Sequence, residues 1–365
     1  MSKKTFYIIL AILAGLLVIG GLIWYFFFRS SAPATAPQSA GFTSPGQAVV
    51  SEILVPISDG PVIAAHFNGD NILFYDFSGW FWRVSGGDLR PAQVTQPAIE
   101  KPADIIWSST EKNIIKTGLN QSDIRYVFSD FGETILTNLK SGIKSAAFSP
   151  DAKKIAYYFS DPKNNSLFIS DPDGKNQKTL IGGFKLRDVV LEWPKTGQIA
   201  AISKPSGLAP GGLWLFDINN SKLTKVIDSL PGLEVVFSPK GDEFIYSYVD
   251  QGGQNPILVV YRNGISKSIN NISTLVDKCA WADDSINIYC AIPKSWPGSA
   301  ILPDDYYKGA FSTNDDVWKI NTETGEKNII FENMGDASNL APSSGEESLI
   351  FILKNSGFLY KLNLK

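Results

Sequence analysis

Seven segments of this chain share one design: a strand closes on an aromatic or apolar anchor, a polar turn follows, and an apolar strand begins. The clearest are "FSPDAKKIAYYF" from Phe148 and "FSPKGDEFIYSY" from Phe237. "WADDSINIYCAI" at Trp281, "WSSTEKNIIKT" at Trp107 and "WPKTGQIAAIS" at Trp193 repeat it, and "FNGDNILFYDF" at Phe67 and "LAPSSGEESLIFIL" at Leu340 are weaker copies. The anchors are spaced 40, 41, 45, 44, 44 and 59 residues apart. Several short strands per unit at that period are the signature of a β-propeller blade. The chain is therefore expected to be all-β, a seven-bladed propeller over residues 47–365. An aromatic share of 12%, with Asn, Gly, Ser and Asp scattered between short apolar runs, agrees with strands rather than helices.

One blade can be read strand by strand: Lys144–Phe148, Lys154–Phe159, Ser166–Ser170 and Gln177–Ile181. Asp171-Pro172-Asp173-Gly174 then joins the third strand to the fourth, where Asp-Gly supplies the positive φ a tight hairpin needs. A calcium loop would need acids alternating over about twelve positions with a terminal Glu, and that spacing is absent. The aspartates read as turn chemistry. The last unit, from Leu340, has only three strands before Lys365. Ala48–Val55 has no strands of its own to pair with, so it is expected to supply the missing outer strand and close the ring.

The N-terminus is of another kind. Thr5 to Phe28 is an uncharged run of 24 residues, long enough to span a bilayer and longer than the apolar core of a secretory signal. Residues 1–29 are read as an uncleaved signal anchor. Lys3 and Lys4 precede the span and only Arg29 follows it closely, which places the N-terminus in the cytoplasm and the body outside. Residues 30–46, rich in Pro, Ala and Ser, form a semi-extended spacer.

The FSPDAKKIAY…LFISDPDGKNQKTL pattern resembles the TolB-type repeat and is similar to the propeller of dipeptidyl peptidase IV-like proteins. The likeness extends over residues 60–365 and is sharpest at 148–180 and 237–261. It implies a non-catalytic platform for proteins or peptides outside the cytoplasm. TolB domains have six blades, so six is the alternative to the count of seven. No Trp-Asp dipeptide and no Gly-His pair occurs, which disfavours a WD-repeat propeller.

Little in the chain points to catalysis. His66 is the only histidine, so it alone could serve a Ser-His-Asp triad, and beside Phe67 it reads as a packed or turn-capping ring. No nucleophile elbow, P-loop or dinucleotide fingerprint is present, and no metal or other cofactor is expected. The three Ser-x-x-Lys tetrads lie near turns, and the four Asn-x-Ser triplets are common in a chain of this composition. A net charge of −3 without a dense basic run gives no reason for nucleic-acid binding. Asp70, Asp104, Asp188, Glu234 and Asp277 stand near strand or turn ends where two carboxyls facing the funnel could cleave a glycoside. Their structural alternative is hydrogen bonding to neighbouring blades.

Two features carry the remaining expectations. Cys279 and Cys290 lie two residues outward from Trp281 and Ile288, which face each other across their turn, so the cysteines should be cross-strand partners and form a disulfide. The sixth unit is longer than the others, and the excess is Pro293–Asp316, between its second and third strands. Trp296, Asp304, Asp305, Tyr306, Tyr307 and Phe311 mix aromatic anchors with acids and are read as a binding loop, with folding back over the funnel as the rival. The chain is thus expected to be a membrane-anchored extracytoplasmic propeller that binds an envelope protein, peptide or polymer without chemistry. A carboxylate-dependent glycan hydrolase or lyase is the alternative.

Overall fold

The computed structural model describes residues 53–364, apart from 87, 95–96, 119–123 and 132–134. They form seven four-stranded antiparallel sheets, numbered here as blades 1 to 7 in chain order. The innermost strands are Val62–Asn68, Pro102–Trp107, Ile143–Phe148, Val189–Lys195, Glu234–Phe237, Cys279–Trp281 and Ala337–Pro342. The repeat spacing thus yields seven blades, not six. The proposed anchor, the spacer and residues 48–52 lie outside the described residues. Among the described residues no helix is long and apolar enough to cross a membrane.

The second strand of a blade shows why the fold follows from the sequence. In Ile155–Ser160 of blade 3 the first five residues are all buried. Ile155, Tyr157 and Phe159 enter the core shared with blade 2, while Ala156 and Tyr158 enter the core shared with blade 4. Side chains alternate across a strand, so a sheet covered on both faces needs an uninterrupted apolar run. Each of the seven blade interfaces has its own apolar cluster of this kind.

The aspartates of blade 3 serve its turns. Asp151 accepts from Ser149 Oγ and the Lys153 amide, Asp161 from the Lys163 and Asn164 amides, and Asp171 from Lys154 Nζ and Asn176. Gly174 adopts a φ of 84°, as the hairpin requires.

Ring closure is also as expected in the described part. Leu54–Pro56 pairs with Leu359–Asn363, which pairs with Ser348–Leu353, so the start of the propeller completes blade 7. Cys279 and Cys290 are direct partners on the first two strands of blade 6 and form a disulfide. Both are buried. Opening this bridge as Cys279→Ala/Cys290→Ala is expected to cost about 2–3 kcal/mol. Chemical denaturation with and without reductant tests it, and equal midpoints would show that the bridge contributes nothing.

Candidate functional site

The excess residues of blade 6 run between its second strand, Asn287–Pro293, and its third, Asp315–Asn321, and include one helical turn, Asp304–Tyr307. This insert folds back instead of projecting. Tyr306 and Leu302 are buried with Val249 and Leu275, and Trp296 and Phe311 pack against them. Trp296 lies edge-on to Tyr306 and Phe311, and its indole N–H donates to the Ser273 carbonyl at 3.1 Å. Asp304 accepts from Ser206 Oγ (3.1 Å) and the Gly207 amide (2.7 Å) of blade 4. The Leu302 amide donates to the Gly253 carbonyl of blade 5 at 2.7 Å, and Lys354 of blade 7 donates to the Tyr306 carbonyl. Asp305 is turned inward onto the Ile301 amide. Of the six loop residues singled out from sequence, Tyr307 alone is exposed, at 45%.

Beneath the insert lies a buried ionic knot. Lys278 Nζ donates to Asp336 Oδ1 (2.7 Å), Tyr306 Oη (2.9 Å) and the Ala337 carbonyl (3.0 Å), and pairs with Asp315 Oδ2 at 2.9 Å. The side chains of Lys278, Asp315 and Asp336 have no solvent exposure. One ammonium thus fastens the insert, the third strand of blade 6 and the entry to blade 7 to each other.

Beside the knot the insert meets two more acids. The Tyr307 hydroxyl donates to Glu234 Oε1, and Asp277 lies near enough to repel the Glu234 carboxylate. Glu234 opens the inner strand of blade 5, and Asp277 immediately precedes that of blade 6. Burial and the neighbouring Asp277 push Glu234 up to about 8. Burial raises Asp277 too, although Lys278 and Lys354 pull it down. Asp277 is exposed to solvent, which screens these charges. Asp104 on blade 2 adds repulsion from across the ring.

Distance from the blade anchor explains this gathering. Asp104, Glu234 and Lys278 each stand three residues before their anchors Trp107, Phe237 and Trp281, and Asp277 stands four before Trp281. Equal offsets put side chains at one level around the axis. Asp70 follows its anchor and sits in a turn at the edge of blade 1, and Asp188 lies in the loop before blade 4, so neither joins the group.

A cavity of about 420 Å³ extends along blades 2 to 5, lined among others by Asp104, Lys144, Glu192, Trp193 and Phe237. Burial pushes Glu192 up to about 7. Glu192, Lys278, Lys354 and Asp336 were not singled out from sequence. A lone acid inside the apolar run "VVLEW" was the available sign for Glu192. His66 stacks on Trp107 with ring centroids 5.6 Å apart, and burial lowers its pKa to about 4, which makes it a neutral wedge between blades. Among the described residues no three His, Cys, Asp or Glu side chains converge as metal donors.

No protein-family model and no curated sequence matches the chain. Among solved structures, an oligogalacturonate lyase in complex with manganese is similar at a TM-score of 0.62 and 10% identity, covering 86% of this chain and 94% of that one. The β-propeller domain of the Trilobed protease from Pyrococcus furiosus is similar at 0.58 and 10%, covering 84% and 96%. That propeller is described as having an open velcro topology, whereas here Leu54–Pro56 closes the ring. TolB from Acinetobacter baumannii is similar at 0.42 and 16%, covering 83% and 78%. The first two of these likenesses establish architecture only. The chain is a seven-bladed β-propeller.

Proposed function

We propose that the protein is a membrane-anchored propeller outside the cytoplasm that binds an envelope protein or polymer on its capped face, without catalysis. The carrying observation is that the insert brings its own hydroxyl, that of Tyr307, onto Glu234, the acid beside Asp277. A built-in phenol fills the place where a substrate hydroxyl would have to sit. What the insert leaves outside is a surface. Tyr307 is 45% exposed, and Leu208 beside the Ser206–Gly207 clip is 73% exposed. Lys308 adds charge at the edge. An aromatic and an aliphatic group within a polar rim suit a protein or polymer contact.

The double variant Leu208→Asp/Lys308→Glu tests this on the soluble fragment from Gly46 onward, immobilised and presented with envelope extract. Retention of the bound component is expected to fall about tenfold with the melting temperature unchanged. Undiminished retention would place binding elsewhere. A second reading, glycan cleavage by paired carboxyls, is favoured by Glu234, which holds its proton near neutrality beside Asp277.

A further inference from the structure

The capped face leaves the cavity along blades 2 to 5 without a role. Its volume of about 420 Å³ is that of a small-molecule pocket. Its two ends differ in chemistry. The connection between second and third strands leaves a blade where the inner strand starts, so the insert lies at that end. Asp104, Lys116 and Lys144 line the cavity there. Trp193, Pro194, Phe237 and Ser238 line it toward the other end, with Phe148. Strands rise about 3.3 Å per residue, so Lys144 and Phe148 stand about 13 Å apart along their strand. Between the ends Val190 is 44% exposed, an apolar group on an inner strand.

Both ammoniums are uncommitted. Among the described residues neither Lys116 nor Lys144 has an ion-pair partner. Asp104 is the cross-strand neighbour of Lys116 but turns its Oδ1 onto the Ile105 amide at 2.8 Å. Glu192, the other acid of the wall, holds its proton up to about 7. The aromatic end has unmet hydrogen bonds of its own. Ser108 and Ser149, which follow the anchors of blades 2 and 3, close their own turns through Lys112 and Asp151. Ser238, in the same place on blade 5, is 3% exposed and its Oγ has no partner. Trp281 donates its indole N–H to the Val236 carbonyl, whereas Trp193 Nε1 is buried without an acceptor. Buried polar groups left unpaired are costly, and a ligand that supplies the missing acceptor recovers that cost.

We propose that this cavity is a second binding site, separate from the capped face, for a small elongated organic acid. Its carboxylate is held by Lys116 and Lys144, its apolar body lies along Val190, and a hydroxyl or carbonyl at its far end meets Ser238 and Trp193. The probe is 3-(4-hydroxyphenyl)propionate, titrated at pH 6 into the full-length protein in detergent and followed by ligand-observed NMR, with detergent alone as the blank. Saturable binding in the millimolar range or tighter is expected, and the neutral analogue 3-(4-hydroxyphenyl)propionamide should bind about tenfold more weakly. Lys144→Met should weaken the acid about tenfold and leave the amide unchanged, at an unaltered melting temperature. Ser238→Ala should weaken the hydroxylated acid several-fold but leave 3-phenylpropionate, which lacks the far hydroxyl, as it was. A merely structural serine would not separate the two acids. Acid and amide binding alike, Lys144→Met binding the acid like the wild type, Ser238→Ala treating both acids alike, or no saturation at millimolar concentration would each overturn the proposal.

Discussion

Lys278→Ala is expected to be among the most damaging single substitutions in this protein, lowering stability by about 3–5 kcal/mol. The change removes one ammonium and leaves Asp315 and Asp336 facing each other without exposure to solvent. Tyr306 loses a donor and the Ala337 carbonyl a partner. The loss should be cooperative with the insert, since Tyr306 belongs to both the knot and its apolar cluster. Lys278→Met combined with Asp315→Asn and Asp336→Asn should recover part of the stability, because the uncompensated charges are then gone. Urea denaturation of the three proteins measures both effects. A loss below about 1 kcal/mol for Lys278→Ala would mean that the knot is not fully dehydrated.

Glu234→Gln is expected to change the pH dependence of stability more than its value at acidic pH. The folded protein holds the Glu234 proton up to about 8, against an ordinary glutamate value of 4.5. Folding therefore binds this proton more tightly than the unfolded chain does. The stabilisation is fully present below about 4.5 and is lost as pH rises through about 8. Each unit of such a shift is worth roughly 1.4 kcal/mol, and coupling to Asp277 spreads the titration between the two groups. On the order of 3 kcal/mol should disappear from the wild-type protein across this interval and be retained by Glu234→Gln. Glu192 has the same sign but is common to both proteins, so the difference between the two curves reports the coupled Glu234–Asp277 pair. Parallel curves would show that Glu234 is ionised at neutrality.

The propeller was legible because its determinants are local. Turn aspartates and apolar second strands each act within a dozen residues, and their recurrence every 40 to 59 residues fixes blade number, while the short turn between them fixes the register that pairs Cys279 with Cys290. The fate of the insert was not legible. Its course is set by partners far along the chain, such as Ser206 for Asp304, 98 residues away, and Asp336 for Lys278, 58 residues away. The five acids chosen from sequence separated for a geometric reason. Glu234, Asp277 and Asp104 precede their anchors by three or four residues and reach one level on the axis, whereas Asp70 and Asp188 do not share that offset. Counting from the anchor, instead of looking for strand ends, would have selected the right three. The same count points to Lys278, whose burial depends on Asp315 and Asp336, both distant in sequence.

Whether the axis binds or cleaves is decided most directly by following a glycan through it. The soluble fragment is incubated with envelope polysaccharide, and both retained and released material are sized by mass spectrometry, for the wild type, Glu234→Gln and Asp277→Asn. A non-catalytic platform predicts chains of unchanged length in all three samples, whether retained or released. Shortened chains that form with the wild type and vanish with either substitution would contradict it, and would make Glu234 and Asp277 the acid and base of a glycan-cleaving enzyme.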